Sequence, residues 1–458
     1  MAFLGFVVLV TTAMAVRFGP LFQAPLLEEG DLAVNALQIQ DAKRFREVYG
    51  NYSRYEFNHP GPAFFYVYAG AEALLYDAMR VVPSPGNAHL VAVVCLQFGF
   101  LAVTLWLLST RAPWRPLGPL ALLAVMFWIR RHPELVTSVW PPDVIAVPFL
   151  CFLVACTLVA VGDFSVLPVA MLAGGFLFHG HVAQALFVGT IGTVACVFGV
   201  RARKRSQTDR GIALFAGHRI AFVVSGVLGL LFSIPLLVDI LTLGGRGNVA
   251  AIFGRFSANA GQHTSLGRSL LFFLTYPIAS RAQDALLSAH EAAPVWHFAL
   301  AHAGAIIAAS VVLLTPAIWL FIWGRRMAPE ERRFLFAGGA ILGMTWLDCL
   351  VWGMAQSDAI RHYNGVFYHA VYFFAALFIL ALVAKTVSRY WTMPADVGAG
   401  CVAAVVLVWG LHAHPASAVE RGLPVKHAVD AVLADETGNK PKFLVMARDN
   451  WHVAAAVA

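Results

Sequence analysis

The chain has 458 residues, 59% of them hydrophobic and only 12% charged, with a mean hydropathy of +0.72. A soluble domain carries about 25% charged residues, so this composition excludes a water-soluble globular protein and requires apolar surface facing lipid. The net charge of +7 comes largely from Lys and Arg in short loops between apolar runs, which is a membrane-topology signal and not a nucleic-acid footprint.

Residues 2–18 read as a first, uncleaved spanning helix, since the run lacks a basic flank before it and Arg17 follows it. Residues 19–85 then form a long outer loop. A helix over 31–48 is expected there, from Asp31 as an N-cap to a stop at Gly50, with Leu32, Ala36, Ile39 and Phe45 at helical spacing. Its charges Asp41, Lys43, Arg44 and Arg46 place it on the membrane surface. The stretch SRYEFNHPGPAFFY follows. Pro60 and Pro62 push the residues before them out of helix, so the segment is extended. A second interfacial helix is expected over 63–82, since Glu72, Asp77 and Arg80 are too frequent for lipid. Tyr52, Tyr55 and Tyr66 read as anchors at the lipid interface.

Further spans are expected at 86–109, 117–129, 143–161, 165–179, 181–200, 213–240, 296–323, 334–352, 364–384 and 396–413, about eleven with the first. The long apolar stretch over 165–200 is divided at His179-Gly180-His181. Long runs containing Gly and Pro fit helices and not the alternation of a barrel. The basic loops, with Arg111 and Arg115, RARKRSQTDR, GRRMAPEERR, and Lys385 with Arg389, belong inside. That puts 19–85, 130–142, 241–295, 353–363 and the tail outside. Cys95, Cys151, Cys156, Cys196, Cys349 and Cys401 form no metal or disulfide spacing and read as small buried hydrophobes. The chain thus divides into a multi-span region, 1–413, and a short outer tail, 414–458, with one βα unit at its end.

The first outer loop resembles a family. EEGD after the first span, followed by SRYEFNHPGPAFFY and a second amphipathic helix, is similar to the loop of GT-C glycosyltransferases, within the bacterial branch of protein mannosyltransferases and aminoarabinose transferases. His59-Pro60-Gly61-Pro62 is one Gly longer than that branch's His-Pro-Pro turn and resembles a subset with the form YSR…NHPGP. WPPDVIAVPF and GGFLFHGHVAQALFV look like later segments of that subset. Trp140-Pro141-Pro142 departs from the usual Trp-Asn-Pro. The resemblance covers about residues 20–190. It implies an all-α membrane enzyme of the bacterial inner membrane with its site on the periplasmic face. Such an enzyme takes a sugar from a polyprenyl-phosphate donor in the bilayer and passes it to a glycan, lipid or protein acceptor.

That chemistry needs a carboxylate for the acceptor proton and donors or cations for the departing phosphate. The resemblance places the essential acid at Asp31, with Glu29 and Glu28 next. The plain alternative is that Asp31 is an ordinary N-cap. The three acids could together hold a divalent cation through oxygens, but no metal or other cofactor is assigned. Arg54, Asn58, His59, His181, Arg361 and Tyr363 are the candidates for donor phosphate and sugar, with His179, Arg130 and Arg131 behind them. Two histidines at i, i+2 do not share a helix face, so His179 and His181 do not make a metal pair. Two other readings compete: a transporter or flippase of lipid-linked sugars, and a membrane acyltransferase using His59 or His181. Against the first, no internal repeat is visible and most charges lie at span ends, with Asp348 the main exception.

Overall fold

The computed structural model describes residues 25–53, 55–206, 217–258, 263–288, 295–356 and 361–388. The expected spans 2–18 and 396–413, the candidate Arg54 and the tail 414–458 lie outside the described residues. Among the described residues the chain is helical, apart from one isolated antiparallel bridge between Tyr52 and Asn58.

Among the described residues, seven helical segments are long and apolar enough to cross a membrane: Pro85–Arg111, Pro141–Ala160, Gln184–Lys204, Arg219–Arg246, Ala303–Arg326, Pro329–Met354 and His362–Val387. Two shorter apolar helical segments, Phe164–Gly180 and Leu266–Ile278, pack among them. The helices are α1 (Asp31–Lys43), α2 (Ala63–Ala71), α3 (Pro85–Arg111), α4 (Leu117–Arg131), α5 (Ala146–Ala160), α6 (Leu167–Gly180) and α7 (Gln184–Ser206). They continue with α8 (Arg219–Leu243), α9 (Asn248–Ala258), α10 (Leu266–Ser288), α11 (Ala303–Trp323), α12 (Pro329–Met354) and α13 (Tyr368–Val387).

The centre of the bundle is α5. It is apolar all round and touches α3, α6, α7, α12 and α13, as expected for a helix with no polar face to solvate. Its hydroxyl at Thr157 is satisfied within the helix by the Leu153 carbonyl at 2.9 Å. α8 is the opposite case, since only 6% of its apolar window is buried. Ser225 and Asp239 are its buried residues, so its apolar side chains face outward, as a lipid-facing helix requires.

One end of the bundle is basic and closed by ion pairs. Arg111 meets Asp163 at 3.3 Å, while Glu331 accepts from Trp114 at 2.9 Å and from Lys385 at 2.5 Å. Arg325, Arg326, Arg332 and Arg333 sit at this same end. The first loop, with α1 and α2, covers the other end.

Four expectations change. α1 stops at Lys43 and not at 48, because Phe45 turns into the left-handed region at φ 55°. The second loop helix runs from Ala63 to Ala71 and then widens into a π-helix over Glu72–Ala78. The segment 241–295, read as a loop, holds α9 and α10, and Phe272, Phe273 and Tyr276 of α10 are in the core. Arg268, Ser269, Thr275 and Pro277 break its apolar run below spanning length, which hid it. Cys151, Cys156 and Cys349 are buried, but Cys95 and Cys196 are exposed.

Candidate active site

A cavity of about 450 Å³ opens at the loop-covered end of the bundle. Its lining brings together Asp31, His59, His181 and Tyr363 from the sequence candidates, with Trp140 and Arg255. These residues come from the first loop, the start of the α5 span, the α6–α7 junction, α9 and the segment before α13.

The first loop is built to present its side chains. Gly30 takes a backbone conformation at φ 57° that favours glycine, and α1 starts at the next residue. Gly30 therefore holds the N-cap position, and the Asp31 carboxylate caps nothing. It reaches across to two other elements instead. Its Oδ2 accepts a hydrogen bond from the Trp140 indole at 3.0 Å, and its Oδ1 accepts one from the Tyr52 hydroxyl. Neither donor is charged.

Behind Asp31, residues 50–59 fold back on themselves. Gly50 donates to the His59 carbonyl at 2.9 Å, His59 to the Asn51 carbonyl at 2.7 Å and Ser53 to the Phe57 carbonyl at 2.8 Å. The extended segment expected from the prolines is thus one arm of a small hairpin. The extra Gly of the His-Pro-Gly-Pro turn has a steric cause. A Cβ at Gly61 would lie 2.5 Å from the His179 ring, which packs flat against the turn. His179 in turn bonds the Phe232 carbonyl through Nε2 at 2.7 Å. It serves the turn and does not line the cavity.

His59 and His181 form a pair with ring centroids 4.5 Å apart. The Nδ1 of His59 accepts the Val182 backbone N–H at 3.2 Å, and that of His181 accepts the Ala183 N–H at 3.2 Å. A ring that accepts at Nδ1 and is neutral carries its proton on Nε2. Burial holds His59 well below the ordinary imidazole range, with His181 pushing the same way, and burial brings His181 down to about 4. The pair therefore supplies two neutral Nε2–H donors and no lone pair for taking a proton.

Arg255 carries positive charge into this lining. Its guanidinium stacks over the Tyr55 ring at 4.7 Å. The helix that bears it is pinned by Asp239, whose two oxygens accept the backbone N–H groups of Asn248 and Val249 at 2.9 and 2.8 Å. The Tyr49 hydroxyl donates to the same carboxylate at 2.8 Å. Asn248 then clasps the backbone of Asn58 from both sides, at 2.6 and 2.9 Å.

The remaining candidates separate. Glu28 turns away from the cavity to His89, whose Nδ1 lies 2.8 Å from its carboxylate, while His89 Nε2 lies 2.9 Å from Glu72. With a carboxylate at each ring nitrogen, both must donate and the ring is an imidazolium. Glu72 also accepts from Gln40 at 2.8 Å and Lys43 at 2.6 Å. Burial alone would raise the Glu72 carboxyl, but these bonds hold it down at about 2. Glu29 is half-buried at the entry to α1 and is not in the cavity lining. Asn58 acts through its backbone. Arg361 is exposed beside the 3₁₀ turn that places Tyr363 in the cavity, and Arg130 and Arg131 are exposed at the end of α4. Among the described residues, no group of three His, Cys, Asp or Glu side chains is arranged to hold a metal ion. Glu28, Glu29 and Asp31 do not converge on one point.

No family model and no curated protein matches the sequence. Among solved structures, the chain is similar to the crystal structure of ArnT from Cupriavidus metallidurans bound to undecaprenyl phosphate. The likeness covers 98% of this chain and 84% of that one, with a TM-score of 0.52 and 14% identity. The fold is ArnT-like. At this identity the likeness is one of fold alone.

Against that fold, the sequence reading missed Trp140, Arg255 and the place of two tyrosines. Tyr52 and Tyr55, expected as lipid anchors, line the cavity. Tyr66 is tied to the Glu47 carbonyl at 2.9 Å. Trp140 was visible only as a departure from a pattern, and Arg255 lay in a segment taken for loop. A helical stripe in NVAAIFGRFSA was the one signal that could have found Arg255.

Proposed function

We propose that this protein is a membrane glycosyltransferase that moves a sugar from a polyprenyl-phosphate donor to a hydroxyl of a glycan, lipid or protein. One observation carries the reading. A carboxylate with uncharged partners, two neutral imidazole donors and an arginine line one cavity at the end of an ArnT-like bundle. The fold neighbour was crystallised with undecaprenyl phosphate, a ligand of the donor's class.

In this scheme Asp31 takes the proton of the acceptor hydroxyl. The acceptor oxygen forms a bond to the anomeric carbon. The bond from that carbon to the phosphate oxygen breaks, and the polyprenyl phosphate leaves with the electron pair. His59 and His181 donate from Nε2 to the departing phosphate, and Arg255 meets its charge. Arg54, Arg361 and Tyr363 are assigned to the approach of donor phosphate and sugar, Asn58 fixes this segment through its backbone, and Glu29 is the reserve acid. The basic end of the bundle belongs in the cytoplasm by the positive-inside rule, which puts the cavity on the periplasmic face of the inner membrane.

The acyltransferase reading needs an imidazole that can accept a proton. The backbone N–H bonds at both Nδ1 atoms leave each ring only a donor. The test is turnover of labelled polyprenyl-phosphate sugars, offered one at a time with a membrane-lipid extract, by the purified protein and by Asp31→Asn. Asn keeps the shape and removes the base. Turnover should fall by roughly 10²–10⁴-fold with the thermal midpoint unchanged. Equal turnover by both proteins would end the assignment of Asp31.

A further inference from the structure

We infer that the acceptor hydroxyl binds at Oδ1 of Asp31, a place the Tyr52 hydroxyl fills in the resting protein, and that Trp140 is the residue that positions the base. The inference rests on the glycosyltransferase reading. It names the acceptor group as an uncharged alcohol of the sugar type.

The two donors on Asp31 sit on different oxygens and on very different supports. Trp140 stands directly before the Pro141–Ala160 segment, whose apolar window is entirely buried. Its carbonyl accepts the N–H groups of Asp143 and Val144 at 3.0 and 3.2 Å, and its own N–H donates to the Ser138 hydroxyl at 3.1 Å. Its ring meets the edge of Tyr363 at 5.9 Å. Two prolines follow it and stiffen the chain. An indole N–H donates only and cannot take a proton. Oδ2 is therefore tied to the entry of a fully buried segment of the bundle.

Tyr52 has the opposite support. It is 38% exposed, on the small hairpin whose tip carries Glu56 in the left-handed region at φ 65°. What it gives Asp31 is an O–H hydrogen bond, the same bond an acceptor alcohol must make before losing its proton. The hydroxyl of a partly exposed side chain can be replaced by another hydroxyl; the indole, which only donates, cannot. The rest of the wall suits an uncharged sugar. Asn35, Asn51 and Gln356 supply amides, and Trp352 supplies a flat apolar face.

The proposal predicts opposite kinetic effects from two conservative changes. Tyr52→Phe removes the competing hydroxyl and should lower the apparent acceptor KM by roughly 3–10-fold, with kcat kept. Trp140→Phe keeps the ring and removes the donor that favours the carboxylate. It should lower kcat by roughly 10-fold and move the acidic limb of the pH–rate profile to higher pH, leaving donor KM in place. Both profiles are read on the lipid-linked sugar that the wild-type protein consumes, with a methyl hexoside as acceptor and thermal midpoints in parallel. Loss of turnover in Tyr52→Phe would make Tyr52 part of the chemistry and overturn the placeholder role. An unmoved pH limb in a folded Trp140→Phe protein would overturn the positioning role. A Trp140→Phe protein that does not fold leaves the decision to the KM of Tyr52→Phe. If Asp31→Asn is inactive while these results fail, only this inference falls; if Asp31→Asn turns over normally, the base assignment falls first.

Discussion

Glu28 and Asp31 are three residues apart and end in opposite surroundings. Glu28 joins a closed cluster with His89, Glu72, Lys43 and Asp77, where each charge faces its opposite at 2.6 to 2.9 Å. Asp31 joins an open cluster whose donors are an indole and a phenol, beside two imidazoles kept neutral. The histidines show the same contrast, since His89 carries a charge and His59 and His181 do not. A cluster whose charges are each paired within itself has nothing left for a ligand. A carboxylate held only by neutral donors keeps its charge available. The closed cluster ties the segment before α1, α1 itself, the π-helix and the start of α3 into one support, and the open cluster sits on that support.

The largest effect should come from breaking the closed cluster. His89→Ala leaves Glu28 and Glu72 facing an uncompensated gap, and removing one partner from a buried ion pair costs about 3–5 kcal/mol. Thermal unfolding in detergent should show this as a midpoint many degrees lower, while Asp31→Asn should leave the midpoint nearly in place. Equal losses in the two variants would erase the distinction between support and site.

Acid should separate the clusters by pH. His59 and His181 are neutral when folded and bind protons near an ordinary 6.5 when unfolded. Their contribution to stability is therefore present above that value and is lost as pH falls below it. The slope is at most about 1.4 kcal/mol per pH unit for each imidazole. Glu72 has a folded value of about 2 against an ordinary 4.5, so its contribution is lost only as pH falls from 4.5 toward 2. A pH series of thermal midpoints should show two windows. His59→Gln with His181→Gln should reduce the slope in the upper one and spare the lower.

This contrast was only half legible in the sequence. Asp31, His59, His181 and Tyr363 were picked out in advance, and the cavity gathers all four. What separates Glu28 from Asp31 could not be read locally, because their partners are distant in the chain. His89 is 61 residues from Glu28, and Trp140 is 109 residues from Asp31. The apolar runs announced a helical membrane bundle, since lipid leaves the backbone few alternatives. α10 escaped because its buried half is too short to stand out from a loop. Arg255 escaped with the neighbouring α9, for its orientation is set by Asp239 at the end of another helix.

A smaller and more local change tests whether the open cluster can be disturbed alone. Gly61→Ala places a methyl group 2.5 to 2.6 Å from three ring atoms of His179, which is too close for any side chain. The ring cannot simply swing away, because its Nε2 is tied to the Phe232 carbonyl at 2.7 Å. The turn must therefore give. His59 lies two residues before Gly61 and His181 two residues after His179, so the imidazole pair should shift with it. Overpacking of this kind costs about 1–3 kcal/mol, less than the loss expected for His89→Ala. The closed cluster shares no contact with this turn in the hydrogen bonds and ion pairs above, so the two losses should add within about 0.5 kcal/mol in the double variant. Gly61→Ala should also weaken binding of polyprenyl phosphate, measured by quenching or displacement on the purified protein, while His89→Ala at a temperature where it remains folded should not. A double variant whose loss exceeds the sum would show that the two clusters are one cooperative unit, and binding of polyprenyl phosphate unchanged in Gly61→Ala would remove the imidazole pair from the phosphate site.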